Sequence, residues 1–414
     1  MQIFNIMKLD FPYEKTNFVH ILFHKKSKFF LCEMKFFREI YRIFKQFLRL
    51  PSYLANFLFG TFYYDNFLAK SQKHYFGKLS PNDKIVIFLI FPDCGVSKSH
   101  LRTLRYFIKN NFTPLIVSNS PLSNKDKNLI LEYSWVLIER KNFGYDFGGY
   151  RDGVLFISEK IIDLDKLILI NDSTWFPIID NNSFIDFIDN SNLDFIGATS
   201  HYGFIRPRLP STKKGLLKPQ FNFNNKNFHY ASYALSFSKK ILKDKNFFKF
   251  WKNLRLSGRK NIVVRRGEIG LTQYVIKNKK YSHGSLINSE ILEDFLKDLS
   301  IDALLRVSRE TIIENASLRK FKSKFIKNID SFSKDELIAF ILIQVSRQII
   351  VFSLIKFLIE DLKFPFLKKM LFKLDKPSAE EAYKIIKSLD KDVYEEILFE
   401  INTNEALKRF LFTN

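Results

Sequence analysis

The sequence predicts an α/β protein: a sheet of mainly parallel strands covered by helices, preceded by a helical segment and followed by an all-helical region. Three observations predict it. Strand-length apolar runs alternate with helical stretches from residue 80 to about 285, the pattern of a parallel sheet with helices on its faces. The first run, 84–91 (KIVIFLIF), is apolar without alternation, as in a strand buried on both sides. After residue 287 only helix signals remain. A length of 414 residues admits two or three domains at about 150 residues each, and these changes of pattern set the expected limits at 1–79, 80–286 and 287–414.

The elements follow in order. Residues 34–50 read as a helix ending before Pro51. Its Lys35, Arg38, Arg42, Lys45 and Arg49 recur at spacings of three and four, so they share one face, with Phe37, Ile40, Phe44 and Phe47 off it. Such a helix suits an anionic membrane surface or packs against a domain with its basic face in water. Strand 84–91 leads to a helix over 97–109 with Ser97 as its cap. Strand 114–118 (PLIVS) leads to a helix over 124–133, and strand 135–139 to a helix over 150–160. Strands at 166–170 (KLILI), 194–198 and 233–237 follow, then a helix at 238–254, an extended piece at 262–264 and a helix at 268–277. In the last region the pairs Ser333/Glu336 and Ser378/Glu381 have capping-box spacing. The apolar run 337–359 is interrupted by Gln344, Arg347 and Gln348. An Arg at mid-bilayer costs about 2.5–3.5 kcal/mol, so a bundle helix is expected there and not a membrane span.

Composition narrows the class. With 46% hydrophobic and 26% charged residues the chain can build a core, which excludes general disorder. Two cysteines, Cys32 and Cys94, exclude a disulfide scaffold and a Cys-rich zinc module. Residues 1–15, interrupted by Asp10, Glu14 and Lys15, do not read as a secretory signal, and a reducing cytosolic compartment fits. The net charge is +23, and it is unevenly placed. Residues 1–79 hold 13 Lys and Arg against 5 Asp and Glu, and residues 201–266 hold 17 against Asp244 alone. Codon bias would spread such an excess evenly. A basic surface attracts anionic lipid and nucleotide diphosphate.

Familiar catalytic signatures are missing: no phosphate loop, no GxGxxG after the first strand, no HExxH, no GxSxG. Two segments after strands stand out instead, where open parallel sheets bind ligands. Residues 141–153 (KNFGYDFGGYRDG) crowd Gly144, Gly148, Gly149 and Gly153 around Asp146, Arg151 and Asp152. Glycines there let backbone approach a ligand or let a turn close tightly onto a helix. Residues 171–173 (NDS) directly follow KLILI. Asp172, between Asn171 and Ser173, suits a divalent cation held against a diphosphate, and the same triplet also suits a turn or cap.

In order, KNFGYDFGGYRDG, DKLILINDS, DFIGATSH, HYASYALSFS, FW at 250–251 and GEIGLTQ at 267–273 resemble the rhamnan synthesis protein F family of polysaccharide-building glycosyltransferases, over about residues 80–285. The resemblance implies a GT-A-like, Rossmann-type mixed sheet and transfer of a sugar, rhamnose or a related deoxysugar, from a nucleotide-sugar donor, with inversion. It implies Asp172 as ligand of Mg²⁺ or Mn²⁺, Asp146 beside the donor sugar and Glu268 as the base on the acceptor hydroxyl. Asp152 is a second carboxylate for the developing sugar charge. Gly144, Tyr145, Gly148, Gly149, Arg151, Asn171 and Ser173 would surround the donor. Arg265 and Arg266 either grip phosphate or form a solvated surface. Phe176, where the family often has Gly, and Ala231 or Ser232, where it often has Gln, depart from the pattern and bear on the acceptor contacts and the sugar. The implied acceptor is a lipid-linked saccharide at the inner face of the membrane, with the protein peripheral to it. Two other classes compete. A basic nucleic-acid binder would stack bases on FNFNNKNFHY but lacks any RRM, KH or zinc-finger signature, so no nucleic acid is expected. A membrane-bound scaffold without catalysis would have no use for Asp172 and Glu268.

Overall fold

The computed structural model describes residues 28–160, 163–288 and 290–411. The chain divides into two units, Met1–Asn56 and Phe57–Asn414. Residues 1–15, and the side chains of Lys35, Arg38 and Arg49, lie outside what is described. The basic helix spans Lys28–Tyr63 and runs through Pro51, where the sequence predicts its end. Proline removes one hydrogen bond and disfavours the turn before it, but the chain stays helical beyond it. In the first unit Tyr41, Phe44, Phe47 and Leu48 are exposed, as are Arg42 and Lys45.

In the second unit eleven strands are described: β1 Lys73–Phe76, β2 Lys84–Ile90, β3 Thr113–Ser118, β4 Val136–Glu139, β5 Lys166–Asn171, β6 Thr174–Trp175, β7 Phe195–His201, β8 His229–Tyr230, β9 Ala234–Ser238, β10 His283–Ile287 and β11 Leu367–Lys368. Nine form one mixed sheet in the order β1-β4-β3-β2-β5-β9-β7-β10, with β8 on β7. The β4-β3-β2-β5 stretch is parallel, and β9 runs antiparallel to both β5 and β7. A mixed sheet with flanking helices and a helical C-terminal region is the class the sequence predicts.

Why the strands read as unbroken apolar runs is visible in β2. Val86, Phe88 and Ile90 enter one core with the helix Lys98–Lys109 and the C-terminal helices. Ile85, Ile87 and Leu89 enter the other, with the helix Tyr145–Lys160. Each strand side chain alternates between two buried faces, and each fully buried Leu, Ile or Val contributes about 1.5–3 kcal/mol.

Several elements differ from expectation. The helix Tyr145–Lys160 starts five residues earlier than predicted, so the glycine-rich segment is helical. Its glycines serve close packing: a Cβ on Gly149 would stand 2.3 Å from Leu89 Cδ1, and one on Gly153 3.0 Å from Ile87. Residues 262–264 belong to the helix Lys260–Val264, not to an extended piece. A wide π-type turn, Arg265–Ile269, joins it to the helix Gly270–Lys277. Helix 238–254 is broken into Lys239–Leu242 and Lys245–Lys252, with Asp244 capping the second. The Ser333/Glu336 box forms, whereas Asp375 and not Ser378 caps the helix Lys376–Lys387, and Ser378 donates its amide to that cap. The C-terminal region is not wholly helical: β11 pairs antiparallel with β6, Lys368 opposite Thr174. Among the described residues no helix is long and apolar enough to cross a membrane.

Candidate active site

A cavity of about 650 Å³ opens at the carboxyl ends of β2 and β5, and Asp146, Asp172, Glu268 and Lys368 line it. Asp172 sits one residue past β5, its amide donating to the Leu89 carbonyl at 3.0 Å. One carboxylate oxygen accepts from the Phe91 amide at 2.7 Å and faces His100 Nε2 at 3.4 Å. The Ser97 amide donates to His100 Nδ1, which leaves the ring proton on Nε2, toward Asp172. Burial alone would raise the Asp172 pKa; His100, Lys369 and the Phe91 amide together hold it below the ordinary value. Asp172 is thus an ionised carboxylate facing the cavity.

Asn171 organises the neighbourhood. Its carbonyl oxygen accepts from the Ser173 amide at 3.1 Å and from the Ser173 hydroxyl at 2.5 Å, a side-chain turn of the kind Asn favours. Its amide nitrogen donates to Asp146 at 3.0 Å. Asp146 lies in the first turn of its helix, after Gly144 and Tyr145, both at positive φ. Burial, with Glu268 and Asp172 nearby, pushes its carboxyl up to about 6, against the pull of Lys368.

Glu268 projects from the π-type turn. The Ser232 hydroxyl donates to one of its oxygens at 2.7 Å, and His229 Nε2 stands 3.3 Å from the other. Burial opposes ionisation, but His229 and Ser232 keep its pKa below the usual range. Lys368, from β11, stands 3.1 Å from the Ser173 hydroxyl and 3.9 Å above the Tyr233 ring. Burial brings its pKa down to about 8, with Asp146 and Glu268 opposing that fall. Lys369 pairs with Glu400, which also accepts from Ser99 and Trp175.

The expected site residues therefore separate. Asp146, Asn171, Asp172, Ser173 and Glu268 meet in one cavity; the rest do not line it. Asp152 accepts from Arg140 at 2.6 Å and from Gln72 at 2.8 Å, a buried pair that holds the helix to the loop after β4. Arg151 is bound to Asp65 at 2.7 Å and to the Trp251 carbonyl. Gly148 and Gly149 are packed against Phe143 and Leu89, and Gly144 against Gly148 and Leu256. The Tyr145 hydroxyl reaches toward the Gly258 carbonyl. Arg265 is exposed, and Arg266 lies 4.1 Å over Phe57 beside a separate surface cavity. Geometry on the helix explains the split: Asp146 leaves from its first turn toward the strand ends, while 151 and 152 point to other neighbours. The aromatic rings of FNFNNKNFHY pack on one another, Phe221, Phe223 and Phe228 within 4.8–5.9 Å. Sequence reasoning missed His100, His229 and Lys368. Pro365, which disfavours helix before it, was a local sign of a break before Lys368.

Among the described residues no group of three or more His, Cys, Asp or Glu could hold a metal by itself. Asp172 fits a different arrangement, in which Mg²⁺ takes one or two protein carboxylates and its other ligands from phosphate and water.

The model of the family described as rhamnan synthesis protein F matches residues 115–380. A protein of Sinorhizobium fredii, y4gN, described as uncharacterized, is 31% identical over 239 residues, covering 58% of this chain and 57% of that protein. The virulence protein VirA of Vibrio anguillarum is 26% identical over 235 residues, covering 54% of this chain and 66% of that one. The chain thus spans between half and two thirds of the length of these relatives. Among solved structures, core-mannan synthase A of Aspergillus fumigatus in its Mn/GDP form is 10% identical, with a TM-score of 0.25 over 47% of this chain and 70% of that one.

Proposed function

The chain belongs to the rhamnan synthesis protein F family, and from that premise we propose that it is a glycosyltransferase of polysaccharide synthesis, working in the cavity at the ends of β2 and β5. The observation that carries the reading is the convergence of Asp146, Asp172, Glu268 and Lys368, residues far apart in the sequence, in the place where an open sheet binds ligands.

In this reading Asp172 and substrate phosphate hold Mg²⁺ or Mn²⁺, which when bound supplies Lewis-acid neutralisation of the leaving diphosphate. Asn171 and Ser173 fix the turn that presents Asp172. The Lys368 ammonium adds positive charge on the same side. Glu268 accepts the proton of the acceptor hydroxyl, a contribution of about 10²–10⁴-fold, while His229 and Ser232 hold it in place. Asp146 faces the donor sugar and meets the positive charge that develops there. The donor is a nucleotide-linked rhamnose or related deoxysugar and the outcome inversion. The acceptor is a lipid-linked saccharide, and the protein works at the inner face of the membrane without crossing it. The charge of residues 201–266 and the exposed aromatic and basic side chains of the Lys28–Tyr63 helix support that placement.

The test is a screen of nucleotide sugars by thermal stabilisation with Mn²⁺, since a ligand of the folded state raises apparent stability. One nucleotide sugar should raise Tm in a concentration-dependent way, and the effect should vanish in EDTA. No response to any nucleotide sugar overturns the reading.

A further inference from the structure

A second, smaller cavity of about 60 Å³ lies between the loop after β7 and the turn that ends the helix Lys334–Val345, with Arg206 and Arg347 in its walls. We propose that it is a phosphate subsite, in which these two guanidinium groups hold a phosphate carried by the acceptor saccharide.

Two like charges face one space without compensation. Burial, then the neighbouring Arg206, lower the pKa of Arg347, and no carboxylate opposes them. Among the described residues neither guanidinium has a carboxylate at ion-pair distance. The Pro207 carbonyl accepts from Arg347 Nη2, which fixes the plane of the fork, while Arg347 Nε is buried with no partner. His201 Nε2 is likewise buried without a partner, and burial with the nearby His229 keeps that ring neutral, its pKa down near 3. Two buried polar atoms are thus left unsatisfied around one cavity, an arrangement that costs stability unless something occupies it.

The loop is also held in a costly shape. Tyr202 adopts a φ of 60°, and a Cβ on Gly203 would stand 2.0 Å from the Phe221 ring. The Tyr202 ring lies 5.4 Å beneath the Arg206 guanidinium. Backbone strain of this kind persists where the surroundings fix it, and it clusters at ligand sites. Two forks match a phosphate, which offers oxygens to both, better than a carboxylate, which saturates one.

His201, Tyr202 and Ile349 line both this cavity and the larger one. A single extended ligand therefore spans them. The donor diphosphate belongs with Asp172 and Lys368, so the phosphate at the arginines is the acceptor's. That last assignment rests on the glycosyltransferase reading; the anion site does not.

The test is calorimetric titration of inorganic phosphate and of a hexose 1-phosphate into the full chain, Arg206→Gln and Arg347→Gln. The wild type should bind both, the sugar phosphate more tightly, and each variant should lose about tenfold or more, as expected for charged hydrogen bonds. Nucleoside diphosphate binding should be unchanged in Arg206→Gln. Arg206 is exposed, so that variant folds even if loss of Arg347 disturbs packing. Equal phosphate binding by Arg206→Gln, or competitive displacement of phosphate by nucleoside diphosphate, overturns the subsite. Binding of inorganic phosphate but not the sugar phosphate overturns the acceptor assignment. If no nucleotide sugar binds but Arg206→Gln still loses phosphate, the subsite stands and the proposed function falls.

Discussion

His229 presents Nε2 to Glu268 Oε2 at 3.3 Å, while its Nδ1 lies 2.8 Å from the carbonyl of Asn227. A carbonyl only accepts, so Nδ1 carries a proton and Nε2 is the ring nitrogen turned to the carboxylate. Ser232 donates to the other oxygen of the glutamate.

Glu268→Gln keeps the shape and removes the basicity. Sugar transfer should fall by roughly 10²–10⁴-fold with donor affinity retained, measured by product formation and by calorimetry on the same preparation. Near-normal turnover would move the role to Asp146, the other carboxylate of the expected catalytic set that faces the cavity.

Asp172→Asn should abolish metal-dependent nucleotide-sugar binding while the thermal midpoint stays within a few degrees. The substituted side chain can still accept from the Phe91 amide, so little of the fold is disturbed. Titration with Mn²⁺ and with EDTA reads the difference. If the wild type binds donor equally well in EDTA, the NDS segment is a turn and nothing more.

Asp146 and Glu268 should affect stability in opposite directions with pH. The folded pKa of Asp146 is raised from 3.8 to about 6, so its favourable contribution is complete below the unfolded value and is lost as pH rises through about 6. Asp146→Asn should therefore gain on the wild type between pH 4 and pH 7, by on the order of 2–3 kcal/mol. Glu268, whose folded pKa is lowered, contributes stability above its unfolded value that is lost as pH falls through the folded one. Urea unfolding at pH 4, 5.5 and 7 measures both. A gain for Asp146→Asn that does not change with pH would refute the burial account.

Gly149→Ala inserts a methyl against Leu89, where the cores are closed. It should cost about 1–3 kcal/mol through overpacking and leave nucleotide affinity of the folded protein unchanged. A large loss of affinity with normal stability would return these glycines to the donor site.

Exchange of Arg38, Arg42 and Lys45 for Glu should release the protein from anionic vesicles at low salt. Co-sedimentation of the variant equal to wild type would remove this helix as the membrane contact.

The strands were legible because burial on both faces leaves a mark that needs no partner: β2, β3 and β5 are apolar without alternation apart from polar end residues. Asp172 was legible for the same reason, as the first carboxylate past such a run. The glycines at 148, 149 and 153 were visible as missing side chains, but a sequence does not say whether a ligand or Leu89 uses the space. Asp152 sat six residues from Asp146 and yet points elsewhere, because helix phase and the position of Arg140 decide its direction. Lys368 was hidden by distance: its place depends on a pairing with Thr174, nearly two hundred residues earlier, and two-residue strands carry no periodicity. Tyr202 gave no local sign of its positive φ, nor Gly203 of the Phe221 ring packed against it.

The β6–β11 pairing has a consequence for the charge of the cavity. Asp172 precedes Lys368 and Glu400 by roughly two hundred residues in the sequence. A fragment cut at residue 286 has Asp146, Asp172 and Glu268 but lacks Lys368, Lys369 and Glu400 of the cavity wall. Negative charge is then gathered in one place with Lys260 as the remaining lysine of the cavity wall. The charge balance of the cavity is therefore complete only once β11 has paired with β6.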